Sequence, residues 1–206
     1  MLKGILGVIA ALIVIFVVVV ATRPATFELK RSLTVNAPPD VVFSQVNDFH
    51  AWTHWSPWDK LDTDLKRTYG DVPAGVGASY HWVGEKTGEG NMKITDSKPS
   101  EHVALDLDFI KPFAASNRTE FDFVKAGEGT TVTWTMSGKN NFMSKVMGLF
   151  KSMDEMVGPD FEKGLANMKT AAEADFAKRT AGAKAAADLA AQQAPTEAPA
   201  ADAGTP

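Results

Sequence analysis

Cysteine is absent from the 206-residue chain, and its absence removes several chemistries at once. Disulfides, thiolate nucleophiles and cysteine-bound zinc are excluded. The sequence also lacks a nucleophile–base–acid order, an HExxH pattern and a phosphate-binding glycine loop. We therefore predict no catalytic residue, no metal and no cofactor. Whether the protein is an enzyme stays open at this point, and a role without catalysis is favoured.

A concentrated basic face is also missing. The formal net charge is -4, and the 21 lysines and arginines are scattered among 25 acidic residues. Nucleic-acid binding favours clustered positive charge, so no nucleic-acid partner is predicted. A protein partner is left unknown.

Residues 4–22 contain no charged side chain and are mostly Val, Ile, Leu and Ala. A membrane-spanning helix needs about 20 apolar residues, and this segment is just long enough. A cleaved signal peptide is the alternative, but its apolar core is usually shorter, about 7–15 residues. We predict a single-pass membrane helix over 4–22, after a short tail (1–3) and before a linker (23–26).

The charges that flank this helix give conflicting orientations. Lys3 precedes it, whereas Arg23, Lys30 and Arg31 follow, and a charge count favours a cytoplasmic domain. An apolar segment at the extreme N-terminus with a short basic head is typical of a signal anchor. We therefore expect the domain on the extracytoplasmic (periplasmic) side.

The C-terminal segment 178–206 is mostly Ala with Gln, Thr, Pro, Asp and Gly, and has no aromatic residue. This composition predicts a disordered tail. Residues 183–191 could alternatively extend a helix, because alanine is the best helix former.

Between anchor and tail, the hydrophobic period changes along the chain. Residues 27–35 alternate, a short helix is predicted over 41–49, and alternation returns in several segments between 80 and 137. Short connections favour an antiparallel sheet. Apolar residues then recur at three and four from 142 to 172, which predicts one long amphipathic helix or two segments hinged at Gly158-Pro159.

This order, with several local motifs, resembles the START-like (SRPBCC) superfamily, which includes polyketide cyclase/dehydrase and lipid-transport domains. The resemblance covers residues 27–177. The matching segments are Asn36-Ala37-Pro38-Pro39-Asp40-Val41-Val42-Phe43, Asp48-Phe49, Trp52, Trp55-Ser56-Pro57-Trp58, Gly75-Val76-Gly77, Gly129-Thr130-Thr131-Val132-Thr133-Trp134 and the helix 160–169.

The resemblance implies an α+β helix-grip fold, in which a bent antiparallel sheet wraps around the long C-terminal helix. It also implies a cavity between sheet and helix that holds an apolar ligand in many members. Residues predicted to line it are Arg31, Trp55, Trp58, Tyr80, Trp82, Leu107, Phe109, Phe121, Trp134, Met136, Met153, Val157, Phe161 and Leu165.

Three features of this lining have competing interpretations. The six methionines between residues 136 and 168 could form a plastic binding surface or ordinary core. Trp52, Trp55 and Trp58 could form a lid, a membrane-interface anchor or a core plug, and the plug is favoured because burying indole area is strongly favourable. Arg31 could bind an acidic ligand group, but an edge position, or an ion pair with a carboxylate such as Asp106 or Asp108, is favoured.

His50 and His54 are four residues apart, a spacing that could place two imidazoles on one helix face. Pro57 interrupts the helix soon afterwards, so a metal site is not favoured.

Three functions are therefore compared. The first is a membrane-anchored module that binds an apolar small molecule or lipid. The second is a structural or interaction protein of the cell envelope, and the third is a cyclase/dehydratase-type enzyme that needs polar groups converging inside the cavity. The order given is the order of preference.

Overall fold

The computed structural model describes residues 2–193. It begins with a 20-residue helix, α1 (Leu2–Ala21), which is apolar and long enough to cross a membrane. Val20 in its last turn is 1% exposed, whereas the other residues of α1 are exposed. A cleaved signal sequence has the same properties, so length and composition alone do not distinguish the two.

One seven-stranded antiparallel sheet forms the centre of the domain, in the spatial order β1-β7-β6-β5-β4-β3-β2. This confirms the predicted antiparallel sheet. Its strands are β1 (Thr26–Val35), β2 (Lys66–Tyr69), β3 (Ser79–Gly84), β4 (Gly88–Lys98), β5 (His102–Lys111), β6 (Ala115–Ala126) and β7 (Gly129–Lys139).

Three short helical segments connect β1 to β2. They are α2 (Pro39–Asn47), α3 (Trp52–Trp55) and a 3-10 turn (Trp58–Lys60). Pro39 occupies the first position of α2, where a backbone N–H would have no partner within the helix. Its missing N–H therefore costs no helical hydrogen bond. Val41, Val42 and Val46 of α2 are buried against the sheet.

Two helices follow β7, α4 (Phe142–Met147) and α5 (Met153–Gln193). The predicted hinge at Gly158-Pro159 is wrong, because α5 runs through both residues. The interruption lies at 148–152 instead. There the Ser152 amide and hydroxyl donate to the Glu155 carboxylate while the Glu155 amide donates to Ser152 Oγ, a capping box that starts α5.

The C-terminal helix α5 packs on β1, α2 and α3, and confirms the predicted helix-grip arrangement. It also extends further than expected. Residues 178–193, predicted as the start of a disordered tail with a helix over 183–191 as the alternative, are helical, and those from 180 to 192 are exposed. The remainder of that tail, 194–206, lies outside the described residues.

The sheet face that meets α5, here called the inner face, is fixed by the strand register. Arg31 on β1 lies opposite Trp134 on β7, which lies opposite Phe121 on β6. A parallel row runs through Leu107, Met92 and Tyr80 on β5, β4 and β3. Period-two alternation therefore places nearly all of the predicted lining residues on one side of the sheet.

Candidate ligand site on the inner face of the sheet

Stacked aromatic rings fill the space between α5 and strands β6 and β7. Trp134 lies 3.8 Å from Phe161 of α5 and 5.0 Å from Phe121, in both cases nearly parallel. The Trp55 ring meets Trp134 edge-on at 5.5 Å and is 0% exposed. These residues, with Trp52, form the aromatic core cluster. Its burial gives the domain much of its hydrophobic stabilisation.

The tryptophan loop thus belongs to the core. Trp52 Nε1 donates to the Val46 carbonyl at 3.0 Å, and Trp55 Nε1 donates to the Gln45 carbonyl at 2.8 Å. Both indoles are therefore fixed to the end of α2, as the plug interpretation requires. Only Trp58 is partly exposed, with its ring 5.9 Å from Trp134. The lid and membrane-interface interpretations of Trp52 and Trp55 do not fit this burial.

Beyond the aromatic core cluster, the inner face continues as a second apolar surface on β2 to β5, which we call the aromatic trough. Its rings are spaced as a continuous series, 5.3 Å from Tyr69 to Tyr80, 5.9 Å from Tyr80 to Trp82 and 5.9 Å from Trp82 to Phe109. Leu107 completes the trough. Of its five side chains Trp82 is buried, and the other four are only half-buried. The trough therefore offers apolar area that a ligand can still cover.

Gly90 on β4 shapes this trough. Trp82 lies opposite it in the register, and a Cβ at position 90 would collide with the indole ring and with the Asp108 carbonyl. The absent side chain lets the indole lie flat across β4, where it contacts Phe109 on β5. Gly90 thereby sets the depth of the trough.

Two buried polar atoms of the inner face have no hydrogen-bond partner among the described residues. They are the Thr119 hydroxyl on β6 and the Trp134 indole nitrogen on β7. The register places them diagonally on neighbouring strands, since Thr119 lies opposite Met136 and Trp134 lies opposite Phe121. Leaving such groups unpaired costs free energy, so a polar atom of a ligand or a water would be stabilised there.

Tyr80 and Tyr69 supply two further polar groups in the trough. Burial raises the pKa of Tyr80 to about 12 and also raises the pKa of Tyr69. Both phenols therefore stay protonated near neutral pH and act as neutral hydrogen-bond donors. A phenol in this state suits ligand orientation better than it suits base catalysis.

Arg31, predicted at the cavity or in an ion pair with Asp106 or Asp108, bridges β1 and α5 instead. Its guanidinium lies 2.8 Å from Asp154 and 2.9 Å from Glu162, both on α5. The hydrogen bonds that the guanidinium donates to these two carboxylates raise the pKa of Arg31. The prediction that Arg31 pairs with Asp106 or Asp108 on β5 is therefore wrong. The inward face of β1 meets α5, whereas these two carboxylates lie on the outer face of β5.

Of the remaining polar candidates, His50 borders the trough, whereas His54 and Asp48 lie away from it. His50 Nδ1 lies 2.7 Å from an Asp48 carboxylate oxygen, and the His50 ring stacks on Tyr69 at 3.9 Å. His54 and Asp48 instead line an open outer groove between α2, the tryptophan loop and α5, with a volume of about 1020 Å³. Within residues 2–193, no three His, Asp or Glu side chains come together as a metal site would need.

The methionines divide between two environments. Met136 and Met168 belong to the core. Met147, Met153 and Met156 line a cleft of about 390 Å³ between the end of α1, the start of β1 and helices α4 and α5. We call this the anchor cleft. Met153 therefore lies in this cleft, apart from the other predicted lining residues.

Sequence reasoning missed part of the site. Strand β2 was not predicted, so Arg67 and Tyr69 were absent from the predicted lining. Arg67 pairs with Asp59 at 2.8 Å and faces Trp82 in the register. A four-residue strand gives too few alternations to detect. Thr119 was on the apolar face of its predicted strand, but only the neighbouring strands show that its hydroxyl is unpartnered.

The fold and the inner face together define a START-like helix-grip domain. Residues 26–173 match the family described as polyketide cyclase / dehydrase and lipid transport, and the chain belongs to this family. Comparison with curated proteins finds no match.

Solved structures show the same fold at low sequence identity. Protein MLL2253 from Mesorhizobium loti has a TM-score of 0.53 at 12% identity, over 71% of this chain and 97% of its own. Protein Ms6760 from Mycobacterium smegmatis has a TM-score of 0.51 at 16% identity, over 72% and 92%. Protein CV1439 from Chromobacterium violaceum has a TM-score of 0.50 at 15% identity, over 73% and 99%. At these identities the likeness concerns the fold alone.

Proposed function

We propose that this protein is a membrane-anchored binding module whose START-like domain holds an apolar small molecule or lipid in the aromatic trough. The observation that carries the proposal is the half-buried surface of Tyr69, Tyr80, Leu107 and Phe109, on the same sheet face as two buried polar atoms that have no partner among residues 2–193. A largely apolar lining with a few polar groups is typical of small-molecule sites.

The position of the polar atoms supports a ligand with one polar end. Its apolar part would cover the trough, while a hydrogen-bond acceptor would reach the Trp134 indole N–H and a donor or acceptor would reach the Thr119 hydroxyl. Tyr80 adds a neutral phenol between them and the open edge. A fatty acid, an acyl lipid or a cyclic polyketide-like molecule has this character.

Membrane attachment is part of the proposal. Helix α1 has the length and hydropathy of a span, and its side chains up to Val19 are exposed, as lipid contact requires. We place the domain on the extracytoplasmic side, on the signal-anchor argument. An apolar ligand partitions into the same membrane, so attachment would raise its local concentration near the trough.

Binding rather than catalysis is favoured by where the polar side chains lie. Arg31 faces inward but is held by two carboxylates of α5, His50 pairs with Asp48 and borders the trough against Tyr69, and His54 lines the outer groove. Of the five side chains considered for cyclase-type chemistry, Tyr80 is the one that belongs to the trough. A single neutral phenol does not supply an acid and a base.

Native mass spectrometry of the purified full-length chain, with organic extraction of the same sample, tests the proposal. We expect an added mass that extraction releases as an apolar compound. Leu107→Gln, which keeps the volume and removes apolar surface in the trough, should reduce the ligand-bound fraction.

Val124→Gln is the matched control, because Val124 is an exposed strand residue outside the inner face. It should leave the bound fraction unchanged. Absence of any co-purifying compound, together with no uptake of added palmitate or phosphatidylglycerol by the parent chain, would overturn the proposal. Equal losses in both variants would remove the trough as the site.

A further inference from the structure

The strand register shows which end of the domain lies next to α1. Thr26 of β1 is paired with Lys139 of β7, and Gly138 is paired with Asn117 near the start of β6. The connection between β5 and β6, which contains Phe113, therefore emerges at the same end of the sheet as the linker and α4. We call this the anchor end.

The link between helix and domain is held rigidly. The Asn140 amide N–H donates to the Ala25 carbonyl at 2.8 Å, and its side-chain amide donates to the carbonyls of Pro24 and Thr26 at 3.1 and 3.3 Å. Helix α1 also contacts α4, and Val20 in its last turn is buried. The domain therefore keeps a fixed orientation to α1.

Large exposed apolar side chains gather at this anchor end. Phe150 is 85% exposed and Phe113 is 64% exposed. Those on α4, on the segment 148–151 and around the β5–β6 connection are Ile110, Phe113, Phe142, Met143, Met147 and Phe150. Large exposed apolar side chains concentrated at one end of a domain mark a candidate interaction site.

Geometry places this set at the level of the bilayer surface. A 20-residue helix is about 30 Å long, which equals the hydrocarbon thickness, so Ala21 would lie at its boundary. Because α4 touches α1 and the linker is hydrogen-bonded to Asn140, a bilayer spanned by α1 would bring the headgroup layer next to these apolar side chains. Arg23, Lys145 and Lys151 lie among them and provide charges that suit anionic headgroups.

We propose that the anchor end is a second membrane contact, in which α4, the segment 148–151 and the β5–β6 connection lie in the headgroup layer of the bilayer that α1 spans. The occupant is the lipid surface itself. The anchor cleft, lined by Arg23 and Lys145 on one side and by Met147, Met153 and Met156 on the other, then opens towards lipid. This inference rests on the proposed membrane attachment and is independent of ligand binding in the trough.

The absence of cysteine makes the test direct, because any introduced cysteine carries the only label. The full chain is reconstituted in phosphatidylcholine/phosphatidylglycerol vesicles with Phe113→Cys, Phe150→Cys, Val124→Cys or Ile9→Cys, each labelled with the fluorophore NBD. Val124 is the matched control for Phe113, since it is 62% exposed but lies near the opposite end of β6. Quenching by lipids with a nitroxide near the headgroup or deep in the chain is then measured.

We expect shallow nitroxides to quench the labels at 113 and 150 about twofold or more over the label at 124, and deep nitroxides to quench the label at Ile9. Labels at 113 and 150 that behave like the label at 124, with Ile9 quenched, would overturn the second contact and leave the anchor intact. An unquenched Ile9 label would overturn both. Circular dichroism of each variant should match the parent chain.

Discussion

Thr119 on β6 and Thr130 on β7 are both buried, but their hydroxyl groups differ in hydrogen bonding. Thr130 Oγ1 donates to the Ala37 carbonyl at 2.8 Å, whereas the Thr119 hydroxyl has no partner in the described part of the chain. Thr119→Val should raise the free energy of unfolding by about 1 kcal/mol, because it removes an unsatisfied buried group of the same size. Thr130→Val should lower it by about 1–2 kcal/mol, because it leaves a buried carbonyl unpaired.

Urea unfolding followed by tryptophan fluorescence measures both changes. If the trough binds a ligand through Thr119, the same Thr119→Val variant should also retain less ligand in native mass spectrometry while being more stable. A destabilisation equal to that of Thr130→Val would show that the Thr119 hydroxyl has a partner inside the fold.

The burial of individual side chains was only partly predictable. Indole area predicted that the tryptophans would be buried, and Trp52 and Trp55 are buried. Their partners were not predictable, because Trp134, Phe121 and Phe161 come from three distant elements that meet only after the sheet bends. Arg31 shows the same limit. Its inward direction followed from alternation, but its carboxylate partners lie on a helix more than 120 residues later.

Of the three glycines in helix α5, Gly164 and Gly182 have opposite surroundings. A Cβ at Gly164 would lie 2.9 Å from the Trp134 ring and 3.3 Å from Pro57, and Trp134 is held between Phe121 and Phe161. Gly164→Ala should therefore lower the free energy of unfolding by about 1–2 kcal/mol, despite the gain of about 1 kcal/mol in helix propensity.

Gly182 is the control on the same helix, since nothing lies within 4 Å of its Cβ position. Gly182→Ala should leave unfolding of the domain unchanged and strengthen the helix locally, which hydrogen exchange at residues 180–185 would detect. Stabilisation by Gly164→Ala would mean that α5 does not pack on Trp134 this closely.

Acid should loosen the attachment of α5. Hydrogen bonds from Lys169 and from the Asn36 backbone N–H lower the pKa of Glu173, and the hydrogen bond from Arg31 lowers the pKa of Asp154. A carboxylate with a lowered folded-state pKa stabilises the fold above its unfolded pKa, and that contribution is lost as pH falls through the lower folded-state value. For Glu173 the loss begins below its ordinary value of 4.5.

Thermal melting between pH 7 and pH 3 tests this linkage. The parent chain should lose stability in the acid range, and Glu173→Gln should be less stable than the parent at pH 7 but show a smaller loss on acidification. Glu128→Gln, in the turn between β6 and β7, serves as the control. Parallel curves for the parent chain and Glu173→Gln would remove Glu173 from the acid response.

Among the elements, those with a visible hydrophobic period were predictable. The alternating segments became β1, β3, β5, β6 and β7, the short predicted helix corresponds to α2, and the resemblance added their arrangement around a C-terminal helix. Strand β2 was too short to give a period. For the C-terminal helix, one long helix and a hinge at Gly158-Pro159 were the two alternatives, and neither included the interruption at 148–152, because the Ser152–Glu155 capping box was overlooked.

At the scale of the whole molecule, we expect Asn140 to control how the domain is oriented relative to helix α1. Asn140→Ala keeps the backbone bond to Ala25 but removes the two side-chain bonds to Pro24 and Thr26. In nanodiscs, we expect a rigid fluorophore at Val124→Cys to show lower residual anisotropy in this variant, because the domain gains rotational freedom.

Asn91→Ala is the control, as Asn91 is an exposed residue of β4 far along the sheet from the linker. It should leave the anisotropy decay unchanged. Identical decays for Asn140→Ala and the parent chain would show that other contacts, such as the packing of α1 on α4, hold the orientation alone.

Helix α5 runs beside β1 from the anchor end to the far end, where the Glu173 carboxylate accepts from the Asn36 amide. Beyond that point lie its exposed turns, residues 180–192, which are about 20 Å long. If α1 spans a bilayer as proposed, this part of α5 acts as a spacer of set length. It then holds residues 180–192 at a constant height above the lipid, clear of neighbouring headgroups and within reach of proteins that never touch the membrane.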